Sequence, residues 1–276
     1  MAGVTAAAVK QLREKTGLPL MDCKKALTES NGDEEAAIVW LRENGAKVMA
    51  KRSDRETAFG RFGLYGGPDK PVGAIVELRC ESAPVTQNEE FVQLANDLAE
   101  ALATGPGATT AEELLAQPSP SRKGMTLGEQ KDELFNRIRE VFNVGRIRRI
   151  DGTCASYSHN AATVAGVLLE YEGDNGDAAR DICMHIAAMR PAGLTNEDID
   201  PEVIERERQI LRELTIKEGK PEAIVDKIVD GKVRAFLAER VLTAQPFVKD
   251  SKLTVSKFAE ESGIKLKQFV SWELSS

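Results

Sequence analysis

An apolar strand signal followed by an amphipathic helix occurs twice in this chain, and the two copies share wording: VGAIVEL begins at Val72 and VAGVLLE at Val164. Each has a second strand-like run before it, Phe59, Phe62, Leu64 and Tyr65 in the first case and Thr153 to Tyr157 in the second. The stretch Gly66-Gly67-Pro68-Asp69 folds the first pair into a hairpin. A helix is expected after it, from about Gln87 to Ala103, with Phe91, Leu94, Leu98 and Leu102 on one face and Thr86 with Glu89 as a capping box. Its counterpart should run from about Asp177 to Met189 and stop before Pro191. Strands that hide one face under a helix predict an α+β fold of two related β-β-α units, and a single repetition is too little for a solenoid.

Three short helices are expected ahead of these units. Thr5 can cap the first, which carries Val9 and Leu12 and meets Gly17 as its stop. Met21, Ala26 and Leu27 mark a second helix that halts at Asn31-Gly32, and Asp33 caps a third that carries Ile38, Val39 and Leu41 up to Gly45. So small a bundle buries little, so Leu20 and Met21 should stay partly exposed beside Lys24 and Lys25. The basic run around Lys51 to Arg55 reads as a linker, and the one around Arg146 to Ile150 as a strand edge.

Between the units, a loop rich in Gly, Pro, Ser and Thr holds a short helix near Ala111 to Ala116 and leads to a longer one from about Thr126 to Val144. From Glu202 to Val241 the pattern changes: Ile204, Leu211 and Leu214 recur at heptad-like spacing, Gly219 and Pro221 break the run, and Val225, Ile228, Val229, Val233, Phe236 and Leu237 mark a return arm. That is an antiparallel helical hairpin of coiled-coil character with charges interleaved on both arms. A short helix near Val255 to Glu261 and a strand from Lys267 to Leu274 close the chain. The expected division is a three-helix module over 1–46, a linker over 47–57, one core subdomain over 58–150, and a second over 151–276 that contains the hairpin at 201–242.

A net charge of −7 argues against broad binding to nucleic-acid phosphates, and no apolar run approaches the roughly 20 residues a membrane helix needs. The start MAGVTAAAVK has no secretory pattern, so a cytoplasmic address and no membrane association are expected. Cys23, Cys80, Cys154 and Cys183 are scattered without a C-x-x-C pair, as suits reduced thiols, and no metal site or cofactor is expected. His159 and His185 are the only histidines, and neither has a nucleophile context or metal-ligand spacing. The run GRFGLYGGPDK lacks the P-loop pattern, and turn residues between strands explain it. His185 reads as a satisfied core or rim histidine, whereas His159 stands at a hairpin tip where a side chain projects.

TGLPLMDCKKAL at Thr16 to Leu27, SYSH at Ser156 to His159, MHIAA at Met184 to Ala188, GKPE at Gly219 to Glu222 and TAQPFV at Thr243 to Val248 together resemble, in order, the bacterial elongation factor Ts family. The resemblance implies an N-terminal module like a ubiquitin-associated domain, docking on elongation factor Tu, and a guanine nucleotide exchange role without covalent chemistry. It nominates Arg13, Leu20, Met21, Cys23 and Lys24 on the module, His159 on the hairpin and Val248 after QPF as partner contacts, with a further contact on the helix expected to end near Val141 and Phe142. It also implies a T-D-F-V wedge that works near the GTPase's magnesium site, for which this chain has Ser82, Ala83, Pro84 and Val85. Without that carboxylate and ring, any push must be steric or come from Glu81 or Glu89. A divergent paralogue that binds a GTPase or another protein without accelerating exchange, and an enzyme with an unrecognised site, are the competing readings.

Overall fold

A computed structural model describes residues 4–52, 54–161 and 164–274. The first three residues of the N-terminal start, Ser53 of the basic linker, residues 162 and 163 between the second pair of strands, and the last two residues lie outside the described residues. Helices and strands both contribute substantially, so the chain is of mixed α and β class.

Helix α1 (Ala6–Thr16) begins where the Thr5 hydroxyl accepts the Ala8 amide at 3.2 Å, and it ends at Gly17 in the left-handed conformation, φ 68°. Helix α2 (Leu20–Glu29) follows Pro19, and Asn31 and Gly32 turn the chain with positive φ. Asp33 accepts the Ala36 amide at 2.9 Å and opens α3 (Glu34–Ala50). The expected stop at Gly45 is not there, and α3 runs on into the stretch read as linker. Gly45 serves a close approach instead, since a Cβ on it would lie 2.0 Å from the Asn136 side-chain oxygen. Val9, Leu12, Leu18, Cys23, Ala26, Leu27, Ala37 and Leu41 form the core of this bundle. The inward stripe of α2 is therefore Cys23, Ala26 and Leu27, and Met21, read as part of the apolar face, points out.

Strands β1 (Phe59–Tyr65) and β2 (Gly73–Cys80) are joined in a sheet of order β1-β2-β3 by β3 (Asn143–Ile150), the basic run read as a strand edge. After β2, a 3-10 turn over Ala83–Gln87 leads into α4 (Glu89–Thr104). The cap of α4 is Asn88, whose side chain accepts the Glu90 and Phe91 amides, and not Thr86, whose hydroxyl donates to the Ala83 carbonyl at 2.7 Å. The short α5 (Ala111–Leu115) precedes α6 (Leu127–Ile138), which starts with a capping box of Thr126 and Glu129. α6 ends at left-handed Arg139, several residues short of the expected Val144, so Val141 and Phe142 lie beyond the helix and are buried, with Phe142 5.4 Å from the Phe91 ring.

The second sheet has order β4-β5-β8, from β4 (Cys154–Asn160), β5 (Val164–Glu172) and β8 (Lys265–Leu274), with β4 and β5 antiparallel and His159 opposite Ala165. Helix α7 (Gly176–Met189) follows β5, and its Ile182 and Ile186 share a core with Val167, Leu169, Phe247 and Val255. The helices α8 (Pro201–Lys217) and α9 (Glu222–Arg240) form an antiparallel pair around Val225, Val229 and Val233, with Ile204, Leu211 and Leu237 against them. Leu214, expected in that seam, is 47% exposed, and the buried place is taken by Thr215, whose hydroxyl donates to the Leu211 carbonyl and receives Lys232. A ribbon of β6 (Pro246–Phe247) and β7 (Asp250–Thr254) and helix α10 (Val255–Glu261) lead to β8. The chain divides into two compact units, one of residues 1–63 and 75–149 with the C-terminal end, the other of residues 64–74 and 150–273.

Candidate protein-docking surface

In the first unit, the second helix displays what the small bundle cannot bury. Leu20 is 48% and Met21 69% exposed, Lys24 is exposed one turn on, and Arg13 is exposed near the end of α1. Cys23 is not part of this surface. Its thiol is fully buried against the Leu18 carbonyl, so it shapes the Leu18–Leu20 connection from beneath and cannot touch a partner. The same helix is anchored to the rest of the unit, because Asp22 pairs with Arg139 and Arg52 donates to the Arg139 carbonyl at 2.6 Å. The exposed knob thus sits on a held element.

The loop after β2 is equally held. Glu140 accepts both the Ser82 amide and hydroxyl, and Glu81 accepts the Val141 amide at 2.8 Å and pairs with Arg55 at 2.9 Å. Burial pushes the Glu81 carboxyl up, but the Val141 amide and the Arg55 guanidinium outweigh it and keep the group below the ordinary carboxylate range. Glu81 is therefore committed inward and is not free to push on a partner, while Glu89 is exposed. Val85 is buried, and of residues 82–85 Ala83 and Pro84 are the exposed pair. The sequence gives no warning of this lock, because 58 residues separate Ser82 from Glu140.

In the second unit, His159 is exposed near the end of β4, with the Tyr157 hydroxyl 3.2 Å from its Nδ1. Val248 is 51% exposed at the bend between β6 and β7. His185, by contrast, is fully buried, and burial lowers its pKa from 6.5. The nominated residues thus fall into two sets: Arg13, Leu20, Met21, Lys24 and the 82–85 loop in one unit, His159 and Val248 in the other.

The chemistry available is that of contact. Burial pushes the Cys80 and Cys154 thiols up to about 12 and raises Cys183 as well, so these sulfurs stay protonated at neutral pH. Among the described residues, no three His, Cys, Asp or Glu side chains converge as a metal site. Nor is any described helix long and apolar enough to cross a membrane. Exposed apolar and cationic side chains on braced elements make each set a candidate for docking a protein.

Comparison with known proteins specifies the kind. The family model described as Elongation factor TS matches residues 84–276. Elongation factor Ts of Hyphomonas neptunium is 41% identical over 286 residues, spanning 99% of this chain and 93% of the relative. The protein of the same name from Methylococcus capsulatus is 41% identical over 98% of this chain and 92% of its own, and that of Kineococcus radiotolerans is 41% identical over 98% of both. This chain belongs to the elongation factor Ts family.

Proposed function

We propose that this chain is a guanine nucleotide exchange factor that binds elongation factor Tu, both GDP-bound and emptied, and promotes GDP release during translation elongation in the cytoplasm. It makes and breaks no covalent bond, needs no cofactor, and uses neither nucleic acid nor membrane. The observation that carries this reading is the pair Leu20 and Met21, large apolar side chains at 48% and 69% exposure on a helix pinned through Asp22 to Arg139. Apolar side chains left uncovered on a held helix suit a protein partner.

In this reading Arg13, Leu20, Met21 and Lys24 of a module like a ubiquitin-associated domain make one contact. His159 and Val248 make others, and Cys23 supports the first from below. The two β-β-α units are related copies, the second interrupted by the α8–α9 hairpin. Exchange follows from binding the emptied GTPase more tightly than the nucleotide-bound form, a reciprocal coupling that no catalytic group has to supply. Shifting the partner from mostly bound to mostly empty takes roughly 10⁴-fold preference, about 5.5 kcal/mol, which several contacts must share.

Ala83 and Pro84 favour a second reading, binding without acceleration, since the corner they form offers neither a carboxylate nor an aromatic ring. One experiment separates the two. Stopped-flow loss of fluorescent GDP from elongation factor Tu is timed with increasing amounts of the chain, with complex formation measured in parallel. Faster release that saturates with complex formation is expected. A complex whose GDP off-rate is unchanged leaves the second reading, and the absence of any complex removes the exchange reading and leaves only a paralogue that binds another protein.

A further inference from the structure

The QPFV segment ends in a two-residue bend, Val248 and Lys249, because Phe247 pairs with Asp250 across the β6–β7 ribbon. In so tight a bend the Val248 amide has no strand partner, so it needs an acceptor elsewhere. It finds Nδ1 of His185 at 3.1 Å. On the other side of the bend, the Lys249 ammonium reaches Asp181 at 2.6 Å. Both ties run to α7, and between them the Val248 side chain is left 51% exposed.

The protonation of His185 is fixed by its neighbours. The Gln245 side-chain nitrogen donates to the Glu239 carbonyl at 2.8 Å, so the amide oxygen is the atom that faces His185. That oxygen can only accept, so Nε2 of His185, 2.9 Å away, carries the hydrogen and donates. Nδ1 is then bare, as the Val248 amide requires. The ring is fully buried, with the Phe247 ring centroid 5.8 Å away and Phe247 stacked on Phe258 at 4.0 Å, so water cannot stand in for the bond to Gln245.

We propose that His185 is a positioning residue: held as the neutral Nε2–H tautomer by Gln245, it fixes the Val248 amide and thereby the bend that offers Val248 to the partner. The claim rests on the reading above that Val248 touches elongation factor Tu. It gives a specific task to a histidine that sequence reasoning treats as bland.

Two variants split the network. Asparagine reaches the position of Nδ1, so His185→Asn keeps an acceptor for the Val248 amide and gives up Gln245. Glutamine reaches the position of Nε2, so His185→Gln keeps the donor to Gln245 and gives up the amide. Both should melt lower than the native chain by similar amounts, as a merely structural role also requires. The proposal separates them elsewhere: the Val248 amide stays slow in hydrogen exchange in the native chain and in H185N and becomes fast in H185Q. GDP release stays within about twofold for H185N and slows about tenfold for H185Q, the equivalent of about 1.4 kcal/mol. Equal GDP-release rates in the two variants overturn the link to the partner. Imidazole ¹⁵N shifts of the native chain decide the tautomer even if a variant fails to fold, and a protonated Nδ1 overturns it. Should the native chain itself leave GDP release unchanged, the exchange reading falls and takes the partner half of the proposal with it, while Val248 amide protection still decides the half that concerns the bend.

Discussion

Glu77 is 2% exposed within the β1-β2-β3 sheet, yet it stays charged because Arg79 and Arg146 each reach it at 2.7 Å. Burial pushes its carboxyl up, and hydrogen bonds from the Arg146 side chain and amide and from Arg79 outweigh that, leaving the pKa below 4.5. A carboxyl depressed on folding stabilises the native state fully above its unfolded value near 4.5, and that contribution is lost as the pH falls through the lower folded value. Removing one guanidinium from a buried carboxylate sacrifices a charge-assisted hydrogen bond, about 2 kcal/mol, and the surviving Arg79 prevents a larger loss. Urea unfolding of Arg146→Ala should therefore show about 2 kcal/mol less stability than the native chain at pH 7 and a smaller difference at pH 3. A difference that does not shrink in acid would place the Arg146 contribution in packing, for instance on Phe62, whose ring centre is 6.0 Å from its guanidinium carbon.

At the scale of elements, the first turn of α2 and the corner after β2 in the first unit both set exposed side chains on braced backbone. Leu20 and Met21 lie outside the bundle core at 48% and 69% exposure, so truncating either to alanine should move thermal stability by less than about 1 kcal/mol. Affinity for elongation factor Tu should drop at least about fivefold for Met21→Ala, the side chain with more area to offer, as titration of the complex would show. Placing Asp and Phe at Ala83 and Pro84 tests the corner: with Ser82 and Val85 still holding the loop, GDP release should quicken while affinity changes little, and an unchanged rate would mean that this corner does not reach the nucleotide site. Elements set by near neighbours are legible in the sequence: the Thr5 and Asp33 caps, the Gly17 stop and the start of α6 at Thr126 all stand where their residue types place them, although the box spacing of Thr86 and Glu89 misleads because Asn88 takes the cap of α4. Boundaries set by distant partners are not. Gly45 sits inside a helix because Asn136 comes close, and α6 ends at Arg139, whose carbonyl and guanidinium are held by Arg52 and Asp22, residues 87 and 117 positions away. The same distinction runs through the site. The exposure of Leu20 and Met21 follows from the size of the bundle, whereas Cys23 carries its place in a motif but not its orientation, which only the 23, 26, 27 spacing of the inward stripe could have revealed.

For the whole molecule the decisive property is that the proposed contacts are divided between two units, with Met21 in one and Val248 in the other. If exchange arises from binding energy shared among separate contacts, no single side chain commands it, and losses at sites without common partners add as free energies to within about 0.5 kcal/mol. Met21→Ala and Val248→Ala should each weaken the complex with the emptied GTPase, and the double variant should show the product of the two effects to within about twofold. A titration of the four proteins against nucleotide-free elongation factor Tu measures this directly. A double variant no weaker than the worse single would mean that only one contact is formed at a time. A single variant that abolishes binding would mean that one unit does the work, and the roughly 5.5 kcal/mol that displacing the nucleotide demands would then have to come from a surface much smaller than the one this chain displays.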